Sequence, residues 1–194
     1  MLIAAWRGDF GDAYTARQTA YDPRPIFTAI LRPYLHDIAT VLEIGCNTGD
    51  NLLALADLGL AATGIEPNGN ARSLATNRGL QILDARAEDL PFEEDSFDLV
   101  LTCGLLIHIP PETFNRALTE IHRVSRSLIL SLEYWASVPT PVDYRGVPEG
   151  IWKRPYETEF TDRFGDLRVS GAGGESTLED TPFEGCSWWL FQKR

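Results

Sequence analysis

One segment constrains this chain more than any other: Val41-Leu42-Glu43-Ile44-Gly45-Cys46-Asn47-Thr48-Gly49-Asp50-Asn51, followed by Gly64-Ile65-Glu66-Pro67-Asn68. Val41 to Ile44 is too short for a helix and suits a buried parallel strand. Gly45 and Gly49 let the backbone turn sharply and approach a ligand with no Cβ in the way. Leu52, Leu55 and Leu58 then recur at helical spacing, so the turn opens a helix whose first amide groups face the ligand. A second apolar run, Ala61 to Ile65, leads into Glu66, about twenty residues beyond the first glycine, where a carboxylate accepts hydrogen bonds from both ribose hydroxyls. The succession describes a Rossmann-like site for a nucleoside cofactor.

Nicotinamide dinucleotides use the same geometry with a G-x-G-x-x-G turn. Here the middle glycine is missing, polar Asn47 and Asn51 flank the turn, and Glu43 stands just before it. This E-x-G-x-x-x-G pattern resembles motif I of the class I S-adenosylmethionine-dependent methyltransferases, whose loop passes the amino acid part of the cofactor. Asp84-Ala85-Arg86-Ala87-Glu88-Asp89-Leu90-Pro91-Phe92 and Ser96-Phe97-Asp98-Leu99-Val100-Leu101-Thr102 resemble the adenine-contacting loop and fourth strand of that superfamily. Arg86 replaces the usual aspartate, which leaves the adenine amino contact to Glu88, Asp84 or a backbone carbonyl. Ala87 and Glu88 are the positional matches. Pro67, beside Glu66, and Cys103, just past the fourth strand, are counted with the same cofactor site.

A narrower resemblance runs along nearly the whole chain. The opening Trp6-Arg7-Gly8-Asp9-Phe10-Gly11-Asp12-Ala13-Tyr14-Thr15-Ala16-Arg17, the run Gly104-Leu105-Leu106-Ile107-His108-Ile109, Glu133-Tyr134, Tyr144-Arg145-Gly146, Trp152-Lys153-Arg154 and the terminal Trp189-Leu190-Phe191-Gln192-Lys193 are similar to the pseudaminic acid biosynthesis-associated methylases. That resemblance implies an N-terminal segment folded over the cofactor pocket, with Arg17 meeting the methionyl carboxylate and Tyr14 bonding it or facing the sulfonium. It names a biosynthetic setting and not a substrate. For Trp6 and Phe10, packing on the core is the favoured reading.

With 194 residues, 44% of them hydrophobic, the chain suits one compact methyltransferase domain. An N-terminal helical cap (about 1–36) and a substrate-side lid (about 136–155) are expected within it. No apolar stretch approaches the roughly twenty residues that cross a bilayer, and the N-terminus lacks a signal-peptide pattern, so a cytoplasmic protein without a membrane partner is expected. A net charge of -11 argues against a nucleic acid partner, since phosphate binding wants clustered Lys and Arg. Cys46, Cys103 and Cys186 show no C-x-x-C spacing; reduced thiols, no disulfide frame and no metal are expected. Oligomeric state is left at monomer or homodimer.

Two helices, Asp9 to Ala20 and Pro25 to Leu35, are expected before the core. Seven strands follow: Val41 to Ile44, Ala61 to Ile65, Gln81 to Leu83, Asp98 to Thr102, Ser127 to Leu132, Leu167 to Ser170 and Ser187 to Gln192. Helices at Gly49 to Asp57, Asn68 to Asn77, Pro111 to Val124 and Tyr156 to Arg163 alternate with them. The predicted fold is therefore α/β, a Rossmann-like class I methyltransferase sheet, mostly parallel with an antiparallel last strand. Trp188 and Trp189 should point to opposite faces of that strand. Ala136 to Gly150 and Gly171 to Thr181 read as linkers or lids.

Methyl transfer from a sulfonium asks the protein to align nucleophile, carbon and leaving sulfur while excluding water. A base is optional for an amine and more useful for a sugar hydroxyl. His108, past the fourth strand and before Pro110, is the leading candidate base because imidazole titrates near neutrality; packing at the helix start is the competing reading. His36 and His122 lack such placement. Glu133 and Tyr134 end the fifth strand at the ligand edge, where the carboxylate can orient His108, act as the base or bind a hydroxyl. Tyr144, Arg145, Trp152, Lys153 and Arg154 mix aromatic and basic groups suited to an anionic small molecule. The expected activity is O-methylation of a sugar or related metabolite with S-adenosylmethionine, leaving S-adenosylhomocysteine. N- or carboxyl-methylation of another intermediate and non-catalytic cofactor binding are the alternatives.

Overall fold

The computed structural model describes residues 3–19, 21–179, 181 and 183–194. Seven strands form one sheet: β1 (Thr40–Ile44), β2 (Ala61–Ile65), β3 (Gln81–Leu83), β4 (Phe97–Cys103), β5 (Ser125–Glu133), β8 (Leu167–Gly173) and β9 (Ser187–Lys193). Their order is β3-β2-β1-β4-β5-β9-β8. The first five pair in parallel, and β9 runs antiparallel to both β5 and β8. Every one of these strands lies within a residue or three of where its sequence pattern puts it. The fold is the mostly parallel, Rossmann-like class I methyltransferase sheet.

Alternation along the strands divides the core into two layers. Leu42, Ile44, Val100, Ile129, Trp189 and Phe191 face one side with Phe114, Ala117, Leu118 and Ile121 of α6 (Pro111–Val124). Val41, Leu99, Leu101, Leu128, Leu130 and Leu190 face the other, with Ala54 and Leu55 of α4 (Asp50–Asp57) and Phe27 and Leu31 of α3 (Arg24–Leu31). Trp188 packs partly buried on this second layer, opposite Trp189 as the period-two rule requires. The α6 contacts recur every three or four residues, the spacing that keeps one helical face on the sheet. Helices α5 (Gly69–Asn77) and α7 (Tyr156–Thr161) complete the alternation.

Three features depart from the sequence reading. The N-terminal segment is two short helices, α1 (Ile3–Arg7) and α2 (Asp9–Ala16); Ala20, the expected end of the second, lies outside the described residues, as does Asp180 in the expected loop Gly171 to Thr181. Helix α3 is a layer of the core and not part of a cap, because Phe27 and Leu31 are wholly buried. Ala136 to Gly150 is not an irregular linker: most of it belongs to a second, two-stranded sheet of β6 (Thr140–Tyr144) and β7 (Val147–Lys153). The β6–β7 turn is Arg145-Gly146, both at positive φ (50 and 80°), the conformation that closes a two-residue hairpin. Among the described residues, no helix is long and apolar enough to cross a membrane.

Candidate cofactor and acceptor site

At the carboxyl ends of β1, β2 and β4 a cleft of about 1040 Å³, its open mouth included, is walled by Glu43–Asn47, Ile65–Asn68, Ala85–Glu88 and Cys103–Leu105. Trp6, Gly11, Tyr14, Thr15, Gln18 and Tyr21 close it from the N-terminal side, and His108 stands on the far wall. Open α/β sheets bind ligands at this edge because the strand order reverses there; here it reverses between β1 and β4.

The first turn is built by glycines for two different reasons. Gly45 (φ 76°) lines the cleft, and a Cβ there would lie 2.8 Å from the Leu105 side chain. Gly49 (φ 83°) does not line it. It precedes α4, and a Cβ would meet Leu80 at 2.2 Å, so its role is close packing and not, as expected, approach to the ligand. Asn47 takes a left-handed φ of 46° without glycine. Its side-chain oxygen accepts from Thr15 Oγ1 at 3.0 Å and its amide donates to Glu66 Oε2 at 3.0 Å.

Glu66 is thereby anchored: its other oxygen accepts from the Asn68 amide at 2.8 Å. Each carboxylate oxygen keeps a lone pair for a ligand hydroxyl. Burial raises the Glu66 pKa, and the Asn68 and Asn47 amides offset part of that rise. Glu43 is more deeply placed. Oε1 accepts from Asn51 Nδ2 at 2.6 Å, Oε2 has no partner among the described residues, and burial pushes the carboxyl up to about 8. Asn51 in turn accepts from the Tyr21 hydroxyl at 3.0 Å. An unpartnered, buried carboxylate oxygen in a cleft wall fits a cationic ligand group, and an anchored acid at the end of β2 fits a ribose diol. The residues present fit a nucleoside bearing an ammonium.

His108 sits among aromatic rings: Trp6 at 4.7 Å, Tyr144 at 5.5 Å and Tyr14 at 6.4 Å between centroids. Only 8% exposed, with Nδ1 unpartnered, it is pushed down to about 3 by burial. The ring is neutral at cellular pH, and the expectation of an imidazole titrating near neutrality is corrected. Burial also raises Tyr14 to about 12, so this wall carries no charge.

The sequence-derived residues divide accordingly. Tyr14, Glu43, Gly45, Asn47, Asn51, Glu66, Pro67, Ala87, Glu88, Cys103 and His108 meet at the cleft. Arg17 does not: it is exposed just past α2, and Gln18 lines the wall instead. Glu133 is fully buried beneath the wall, its Oε1 accepting from the Leu105 and Leu106 amides at 3.1 and 3.0 Å, so it cannot reach an acceptor as a base. Tyr134, beside it, lies outside the cleft lining with the Lys153 ammonium 5.8 Å from its ring. Arg145 reaches over the Tyr144 ring at the hairpin tip, and the Trp152 carbonyl accepts from the Tyr156 hydroxyl at 3.2 Å. Arg154 is 2% exposed, with its guanidinium committed to two backbone carbonyls; a group so enclosed does not recognise an anionic small molecule. Thr15, Gln18 and Tyr21 were missed. Their contacts arise from the docking of α2 and the following loop, which no local periodicity announces.

Comparison with known proteins agrees with this geometry. Residues 42–128 match the family described as methyltransferase domain. An uncharacterized methyltransferase of Staphylococcus carnosus is 32% identical over 87 residues, 44% of this chain and 42% of that protein. The chain spans less than half the length of the curated relatives it matches. A S-adenosylmethionine-dependent methyltransferase structure from Methanosarcina mazei superposes with a TM-score of 0.69 at 19% identity, covering 84% of this chain and 96% of that one. The Burkholderia thailandensis 1,6-didemethyltoxoflavin-N1-methyltransferase, bound to its substrate and S-adenosylhomocysteine, superposes at 0.70 and 18% identity, covering 98% and 84%. The chain has the fold of the class I methyltransferases, and residues 42–128 match the methyltransferase domain.

Proposed function

We propose that the chain transfers a methyl group from S-adenosylmethionine to a hydroxyl of a sugar or related small biosynthetic metabolite. The observation that carries the cofactor half is the pair of acids in one cleft, Glu66 anchored at the end of β2 and Glu43 with a free buried oxygen. In this reading Glu66 accepts the ribose hydroxyls, Ala87 and Glu88 flank the adenine beside Pro67, and Glu43 faces the ammonium. Bound S-adenosylmethionine supplies a methyl group already activated by its sulfonium. The protein's part is alignment, for which well-oriented partners gain roughly 7 to 11 kcal/mol at most.

Trp6, Tyr14, His108 and Tyr144 form the acceptor side, and their neutral rings suit the C–H faces of a sugar. The neutral His108 accepts a hydrogen bond from the acceptor hydroxyl and orients it, and the proton that the hydroxyl loses on methylation passes to solvent water. Helices α1 and α2 cap the cofactor, and the segment of about 136–155 covers the acceptor within a single domain acting as monomer or homodimer. The resemblance to the pseudaminic acid-associated methylases supports the sugar-like acceptor. One observation favours N-methylation as a second reading: an imidazole held near 3 is a weak proton acceptor, and a neutral amine attacks without one.

Parallel calorimetric titrations with S-adenosylmethionine, S-adenosylhomocysteine and NAD test the cofactor. Saturable binding of the first two alone is expected; binding of NAD alone refutes the reading. Mass spectrometry of reactions with nucleotide-linked sugars and with their amino counterparts then separates the two acceptors.

A further inference from the structure

The turn that carries His108, Gly104 to Ile109, is held by two buried charged side chains from outside it. Glu133, ending β5, takes the amides of Leu105 and Leu106 on one oxygen, as described. Arg154, just past the β6–β7 hairpin, donates Nη1 to the Leu106 carbonyl and Nη2 to the Ile109 carbonyl, both at 2.9 Å. Its guanidinium carbon lies 3.9 Å from the Phe114 ring centroid. Glu133 and Arg154 form no salt bridge with each other; the hydrogen bonds of each go to turn backbone. Enclosing a guanidinium carries a desolvation penalty that an apolar side chain of the same volume would not. What an apolar residue lacks is the fork that spans two carbonyls three residues apart.

We propose that Arg154 is a positioning residue: it fastens the hairpin to the His108 turn, so that with Glu133 it sets the imidazole against the cleft. The role assigned to the imidazole rests on the function proposed above; the fastening does not. Among the described residues, the titratable groups facing His108 are Tyr14 from α2 and Tyr144 from β6, with Glu133 and Arg154 gripping its turn.

Imidazole nitrogen-proton correlation spectra of the ligand-free full chain test this, since only His36, His108 and His122 contribute. In the wild type His108 should not titrate between about pH 5 and 8. In Arg154→Met the turn loosens, water reaches the ring, and His108 should titrate in the ordinary histidine range near 6.5, with His36 and His122 unmoved. Arg154→Lys keeps the charge without the fork and should shift His108 part of the way. A purely structural Arg154 would lower the melting temperature and leave His108 silent in the folded variants, which overturns the proposal. Should Arg154→Met fail to fold, an unchanged His108 in folded Arg154→Lys refutes it equally. If the wild type binds neither S-adenosylmethionine nor S-adenosylhomocysteine, the functional reading falls alone and the histidine spectra still judge the fastening.

Discussion

The two ends of the sheet handle buried acids in opposite ways. At the amino end, Asp98 on β4 accepts from the Ala39 and Thr40 amides and the Thr40 hydroxyl, each at 2.9 Å, and from Arg126 at 2.6 Å. Burial alone would raise its pKa, but these donors outweigh it and hold the carboxyl below its ordinary value. At the carboxyl end burial prevails: Glu43 is pushed up to about 8 and Glu133 to about 7, and each keeps an unpartnered oxygen. One end is saturated and ties β1, β4 and β5 together; the other is left incomplete. Buried polar groups are normally paired; Glu133 lies beneath the wall, whereas Glu43 lines the cleft, so in the reading proposed above a ligand supplies the partner that Glu43 lacks.

The largest effect that tests this contrast is Asp98→Ala. It strands two amides and a hydroxyl, and should lower stability by about 3 kcal/mol, the upper range for hydrogen bonds to a charged group. Chemical denaturation would measure it, while S-adenosylhomocysteine affinity of the folded fraction stays unchanged. A large loss of affinity would mean that the two ends are not independent. Glu66→Gln should do the reverse, weakening S-adenosylhomocysteine by roughly 1 to 3 kcal/mol, about five- to 150-fold in Kd by calorimetry. Intact affinity would remove the acid from the ribose site.

Protonation sharpens the comparison further. The Glu43 carboxyl is raised in the folded chain, so the native state binds more protons than the unfolded state between the ordinary carboxylate value, about 4.5, and about 8. Its contribution to stability is present below that window and is lost as pH rises through it. Glu43→Gln should flatten the fall in melting temperature between pH 5 and 8. A cation beside Glu43 should also expel its proton, so binding of S-adenosylmethionine at pH 7 should release protons, read as a buffer-dependent calorimetric enthalpy. Identical enthalpies in buffers of different ionisation heat would deny Glu43 the ammonium.

The parallel half of the sheet was legible because its information is local: apolar runs, glycine turns and period-two alternation all lie within each element. The β6–β7 hairpin was not. Pro139, Pro141, Gly146 and Gly150 mark a loop by composition, and its turn places Arg145, not the favoured asparagine or aspartate, at positive φ. Pro141 is tolerated because a two-stranded sheet consists only of edges. The chemistry of single residues was harder still. Glu133 and Arg154 are polar residues at strand ends, a pattern that normally signals exposure, and only the turn they grip draws them inside. His108 lines the cleft, but its ionisation depends on burial among Trp6, Tyr14 and Tyr144, which come from two segments distant in sequence, the N-terminal helices and β6.

Arg17 gives the smallest expected effect and the sharpest separation between resemblance and structure. Family resemblance makes it the partner of the cofactor carboxylate, in which case Arg17→Ala should cost the 2 kcal/mol or so of a charge-assisted hydrogen bond. The structure leaves its side chain in solvent past the end of α2, while Thr15, two residues earlier, bonds Asn47 and Gln18 takes the adjoining place in the cleft wall. On that geometry Arg17→Ala changes S-adenosylmethionine affinity by no more than about 0.5 kcal/mol, the scale of ordinary surface substitutions, and Gln18→Ala exceeds it. A loss beyond tenfold in Arg17→Ala would mean that α2 rotates on binding to bring Arg17 inward.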